Sequence, residues 1–271
     1  MPNMSSPDVG ADTASQPTYG DFSRREVLFE VEATERSVGN MSTHLTTRDT
    51  GERIRTAAVL LFARQGYAAT SVRDLAKAVN MTNAGIYHHV SSKEALLADL
   101  MRVAQQGLID ATERMLAPYA RPADRLALLI GSLTAIHARN PMTTRVMDGE
   151  LRSLTPGSAA RDEIITLRDT YEDHWRRSLA DGVAEGTFRL ADRRLTRLAL
   201  MSMCTGTSEW YRPDGDSTLE QVCAEFVTIG LAAVRAPADA AVPTADFSQL
   251  PDFPWEPPDV RNDPRPDEAR R

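Results

Sequence analysis

A chain of 271 residues, 42% hydrophobic and 25% charged, is long enough to bury one sizeable core or two small ones. Two cysteines, Cys204 and Cys223, are too few for a disulfide scaffold, and both sit in apolar helical surroundings that favour buried thiols. No apolar run reaches the length of about 18 residues that a membrane span needs, and the N-terminus lacks the charged-then-apolar layout of a secretory signal, so the expectation is a soluble cytoplasmic protein.

The net charge of −7 argues against a surface that attracts nucleic acid everywhere, but the charge is unevenly spread. Residues 1–47 carry three Arg against seven acids, residues 48–102 carry six Arg and two Lys against five acids, and the remainder carries 20 Arg against 26 acids. Lys77 and Lys93, the lysines of the whole chain, both fall in the positive segment. One compact basic segment in an acidic protein suits a local nucleic-acid footprint.

In chain order, residues 1–46 are polar without a sustained period and read as a flexible arm, with Met41 an alternative natural start. A helix is expected from about Asp49 to Gln65, with Ile54, Ala57, Ala58, Leu61 and Phe62 on one face and Gly66 as its stop. "TSVRDLAKAV" opens with Ser71 three residues before Asp74, a capping-box start. Ser91 and Glu94 repeat that spacing ahead of a long helix. Pro122 opens the next helix, which ends before Pro141. Further helices are expected from about Ala159 to Glu185, from about Asp192 to Tyr211, and from Ser217, boxed by Glu220, to about Val234. Residues 236–271 hold eight of the 16 prolines and read as an extended tail, in which Phe247, Phe253 and Trp255 have the character to pack. The fold class is all-α: a helix-turn-helix domain over 47–102, a larger helical domain over 103–235, and a Pro-rich tail.

The stretch "MTNAGIYHHV" carries the functional signal. Two short helices, Ser71 to Val79 and Thr82 to His88, meet at Asn80, where a left-handed turn is tolerated. That is helix-turn-helix spacing, in which the second helix enters the major groove. Thr82 can cap it and reach a phosphate, Asn83 can read a base, and Ala84 and Gly85 allow close approach, while Ile86 and Val90 face the core. Tyr87 and His88 offer donors to phosphates, Lys93 sits at the next helix start, and Thr70 and Ser71 flank the first helix. A zinc pair at His88 and His89 fails, because adjacent helical residues point about 100° apart and no further ligands gather nearby in the sequence.

"RIRTAAVLLFARQGYAATSVRDLAKAVNMTNAGIYHHVSSKEALLADLM" resembles the DNA-binding domain of the TetR family of transcriptional regulators. The resemblance implies a homodimer that binds a palindromic operator through this domain and a small molecule through the larger one. "ARNPMTTRVMDGELRSL", "RDTYEDHWRRSLADGVAEGTF" and "EWYRPDG" look like the branch of that family controlling fatty-acid and steroid breakdown, which implies an acyl-CoA thioester as effector. "MSMCTGTSEWYRPDG" departs from that branch's usual aromatic-rich run.

In the larger domain, candidate effector contacts are Met142, Met147, Arg168, Tyr171, Trp175, Met201, Trp210 and Arg212: adaptable apolar groups with two arginines for phosphates. The same Met and aromatic residues also suit plain core packing, and Pro213 with Gly215 suits a plain turn. "LTRLALMSMCTG" and "VCAEFVTIGLAAV" have wide apolar faces with small residues, fit for pairing two copies. No Gly-rich phosphate loop, nucleophile elbow or metal-spaced cluster appears, so neither an enzyme nor a cofactor is expected. Two other readings stand beside the acyl-CoA one: control of drug efflux through an apolar or aromatic effector, and a helical protein that binds protein partners alone.

Overall fold

The computed structural model describes residues 49–237 and 243–256. The arm and the possible start at Met41 lie outside the described residues, as do residues 257–271 of the tail. The described chain is all-α, with no strand among the described residues.

The first three helices form the helix-turn-helix. In α1 (Thr50–Gln65) the Asp49 carboxylate accepts from the Gly51 amide, and the helix stops at Gly66, whose φ of 85° is open to glycine. In α2 (Val72–Ala78) Ser71 and Asp74 complete the expected capping box. The turn passes through Asn80 at φ 55°, and α3 (Asn83–Tyr87) starts at Thr82, whose hydroxyl oxygen accepts from Gly85 N. Ile54, Phe62, Leu75 and Ile86 meet beneath these helices and are almost wholly buried. One buried side chain of that size is worth about 2 kcal/mol, so this small domain rests on a few residues.

Next come α4 (Lys93–Leu116), α5 (Pro122–Arg139), α6 (Pro141–Gly149) with a 3-10 turn at Glu150–Ser153, and α7 (Ala159–Ala184). After them lie α8 (Arg193–Thr205), α9 (Thr207–Trp210) and α10 (Leu219–Ala233), with a last 3-10 turn at Phe247–Gln249. Helix α5 is buried along nearly its whole length and packs against α4, α6, α7, α8 and α10. A helix apolar on all sides belongs in a core. Its approach to α10 is close: a Cβ on Gly230 would lie 2.3 Å from Ile130 Cδ1.

Several element ends differ from the sequence expectations. Helix α4 is capped by Ser92, which accepts from Ala95 N, instead of by Ser91. Glu94 is drawn away from the box to accept from the amide and hydroxyl of Thr155. Helix α10 is boxed by Thr218 and Gln221, one residue later than Ser217 and Glu220. The helix expected from Asp192 to Tyr211 breaks at Gly206, leaving α8 and α9 as separate pieces. The short α6 starts at Pro141, which in the sequence reads only as the stop of the helix before it. The tail is no free extension over 243–256: Leu250, Phe253 and Trp255 are buried against the body.

Candidate functional site

Two regions carry the expected chemistry. On the helix-turn-helix, Thr82, Asn83, Ala84, Tyr87 and His88 all stand exposed around α3, with Tyr87 55% accessible. His89 is exposed as well. The Thr82 hydroxyl accepts from Gly85 N, which leaves its proton to donate outward. Gly85 is half-buried, and a Cβ there would sit 3.1 Å from Met81 Cε and 3.4 Å from the Thr82 oxygen. The small residue therefore keeps the cap intact besides permitting close approach.

Three of the expected DNA contacts point elsewhere. Thr70 is buried, with its hydroxyl donating to the Gly66 carbonyl. Ser71 has spent its amide and its hydroxyl proton on the Asp74 carboxylate, at 2.8 and 2.6 Å, and these bonds hold the Asp74 carboxyl below the usual range. Lys93 turns inward, its ammonium donating to the carbonyls of Tyr67 (2.7 Å) and Thr70 (2.6 Å) and lying 4.0 Å over the Tyr67 ring. A helix-start lysine looks outward in sequence, but two carbonyls left by the loop between α1 and α2 hold it. Lys77, counted in the basic segment, and Arg73 both stand exposed on α2 but are not among the individual DNA contacts expected from sequence; their 3.6-residue position opposite the buried Leu75 and Ala76 was the available signal.

The second region is a cavity of about 130 Å³ between α4, α5, α6, α7 and α8. Of the eight expected effector contacts, Met147, Arg168, Tyr171 and Met201 line it. The other four do not. Trp175 is fully buried packing, and Met142 is buried near the start of the helix that carries Met147. Trp210 is half exposed and lies against Phe226 and Tyr211, while Arg212 donates to the Tyr211 carbonyl in the turn after α9. The break at Gly206 takes both off the line that a continuous helix would have followed.

Polar groups reach the cavity from each of the helices around it: Gln105, His137, Thr144 and Asp148, Arg168 and Glu172, and Thr205. His137 is held between the Leu133 carbonyl (2.9 Å, on Nδ1) and the Asp148 carboxylate (3.2 Å, on Nε2). Arg168 donates to the Met147 carbonyl; burial lowers its pKa while Asp148 works the other way. Burial pushes the Tyr171 hydroxyl up, with the Trp175 indole N–H opposing, and neither atom has a hydrogen-bond partner of ordinary geometry. The result is a mixed chamber in which a hydroxyl, an imidazole, a guanidinium and the carboxylates of Asp148 and Glu172 stand among apolar side chains, a surface that can hold an apolar group beside a carbonyl or hydroxyl. Phe253, from the tail, closes another wall.

The two regions are wired together. Glu150, just after α6, accepts from the Tyr67 amide at 3.1 Å, and Tyr67 is the residue whose carbonyl and ring hold Lys93. Helix α6 also packs against α1.

Comparison with known proteins bears on both regions. Residues 54–100 match the family described as "Bacterial regulatory proteins, tetR family", and residues 119–234 match "Tetracyclin repressor-like, C-terminal domain". The transcriptional repressor KstR2 of Rhodococcus jostii is 29% identical over 182 residues, which are 66% of this chain and 88% of that protein. The solved structure of PfmR, a TetR family regulator from Thermus thermophilus, is 33% identical, with a TM-score of 0.58 over 68% of this chain and 98% of its own. AibR, solved in complex with isovaleryl coenzyme A and operator DNA, is 25% identical with a TM-score of 0.58, over 67% of this chain and 97% of its own.

Proposed function

This chain belongs to the TetR family of transcriptional regulators, and from that premise we propose that it represses transcription as a homodimer on a palindromic operator and is released by an acyl-CoA thioester. The α3 surface of Thr82, Asn83, Ala84, Gly85, Tyr87 and His88 would meet the major groove, with Arg73 and Lys77 adding charge for the phosphates. Pairing would use the exposed apolar faces of α8 and α10.

The observation that carries the reading is the Glu150 to Tyr67 link, because it ties the wall of an effector-sized cavity to the helix-turn-helix. A ligand that favours one position of α6 then biases the DNA-binding domain, and reciprocity requires operator DNA to weaken effector binding by the same factor. Similarity to AibR, solved with isovaleryl coenzyme A, favours a CoA thioester over a cationic drug. The cavity is close in size to one that holds benzene, which suits a short acyl group; longer chains need the Phe253 wall to move.

The test is a gel shift on a palindrome from upstream of the chain's own gene, titrated with octanoyl-CoA, octanoate and a cationic dye. Octanoyl-CoA alone is expected to weaken DNA binding by about tenfold or more, within the usual range of allosteric coupling. Release by the dye alone would replace the acyl reading with control of drug efflux, and absence of DNA binding would leave only a protein-binding role.

A further inference from the structure

The family match ends at residue 234, yet the cavity lining includes Phe253, beyond it. Phe253 is 5% exposed and stacks on Trp255 at 5.5 Å between ring centroids, and Trp255 is itself 4% exposed. Polar fastenings hold both ends of this segment, and Arg114 donates to the Gln249 carbonyl between them at 3.5 Å. Arg139 donates to the Phe247 carbonyl at 2.9 Å. At the other end the Glu256 carboxylate accepts from the amides of Met142 (3.0 Å) and Thr143 (2.9 Å) and from the Thr143 hydroxyl (2.6 Å).

The Glu256 fastening fills a gap in α6. That helix starts at Asn140–Pro141 without a side-chain cap of its own, so its first amides would be unpaired. A carboxylate from more than a hundred residues onward supplies the missing acceptor and the negative charge that a helix N-terminus favours.

We propose that residues 247–256 are a displaceable lid on the effector cavity, with Phe253 as its plug and Glu256 as its latch, so that the apolar group of a ligand takes the place of the Phe253 ring. The proposal rests on reading the cavity as the effector site. An apolar ligand replaces the contacts of the ring it displaces, which offsets part of the cost of opening, while the polar bonds of the latch are lost outright. Loss of the latch uncaps α6 at one end, while the far end of α6 leads to Glu150 and the Tyr67 amide. Entry of the ligand therefore loosens the same helix that braces the helix-turn-helix. A larger acyl group opens the lid further, which makes Phe253 the residue that sets the accepted chain length.

The test uses the full-length protein, 8-anilinonaphthalene-1-sulfonate as the probe, and amide hydrogen exchange. Phe253→Ala should tighten dye binding by about tenfold, since the site no longer has to open first. Dye binding to the unaltered protein should speed exchange at Met142 and Thr143 by a similar factor and leave the amides of α5 as they were. Glu256→Gln should speed exchange at the same two amides and tighten the dye; it leaves every buried ring in place, so it tests the latch even if the Phe253→Ala chain does not fold. Unchanged dye affinity in the variants, or unchanged protection of Met142 and Thr143 on dye binding, overturns the lid. Neither readout uses DNA or a CoA thioester, so a chain that opens for the dye but ignores octanoyl-CoA keeps the lid and loses the acyl-CoA reading.

Discussion

Lys93 gives two of its three protons to main-chain carbonyls and shields the Tyr67 ring, whereas Arg73 stands free on the surface of α2. The two cations should therefore fail in different ways. Lys93→Ala is expected to lower unfolding free energy by about 1–2 kcal/mol, the loss of charged hydrogen bonds at a half-buried site, and to leave the salt dependence of DNA binding unchanged. Arg73→Ala should leave stability within about 0.5 kcal/mol and reduce the slope of log affinity against log salt by about 0.9. Thermal melts and salt titrations of the two variants check this directly. A reduced slope in the lysine variant would mean that its ammonium reaches DNA in the complex.

At the scale of the element, helix starts were legible wherever the cap and the apolar period agreed, as at Ser71 with Asp74 and at Pro122. The one-residue shifts at Ser92 and Thr218 arise where two hydroxyl residues stand side by side and tertiary contacts choose between them; Glu94 is drawn off by Thr155. Half of the expected cavity wall was legible for a similar reason: Tyr171 and Trp175 share one helical stripe, but only packing decides which faces the cavity and which the core. Helix α6 was hidden because Pro141, which opens it, reads equally as the stop of α5, and its cap, Glu256, is remote in sequence. A function for α6 follows from its far end. Glu150→Ala removes the acceptor of the Tyr67 amide, so DNA affinity without effector should stay within about threefold while release by octanoyl-CoA weakens by about threefold or more. Gel shifts with and without the thioester separate the two, and undiminished release would place the coupling elsewhere.

For the whole molecule, the exposed apolar side chains that remain are informative. Leu195 and Leu198 lie one turn apart on α8, and Ile229 lies on α10 with 44% of its surface open. Helices α8 and α10 pack together, so these residues form a shared outer face of the kind that closes a four-helix interface in a two-fold dimer. For the homodimer proposed above, Ile229→Asp should give a monomer at micromolar concentration in sedimentation velocity and weaken operator binding by tenfold or more, because one half-site then binds alone. A variant that keeps its dimer mass would exclude this face.

The burial of α5 also bears on how the chain is made. During synthesis α5 emerges before any of α7, α8 or α10 exists to cover it, and α10 follows some 80 residues later. At ordinary synthesis rates of about 5–20 residues per second, a helix with no polar side waits for roughly 4–16 s beside the ribosome. During that interval it has α4 and α6 to pack against, but not the helices α8 and α10 that cover it in the folded chain. The burial that makes the folded protein solid at its centre thus leaves an apolar helix partly uncovered until the C-terminal helices arrive.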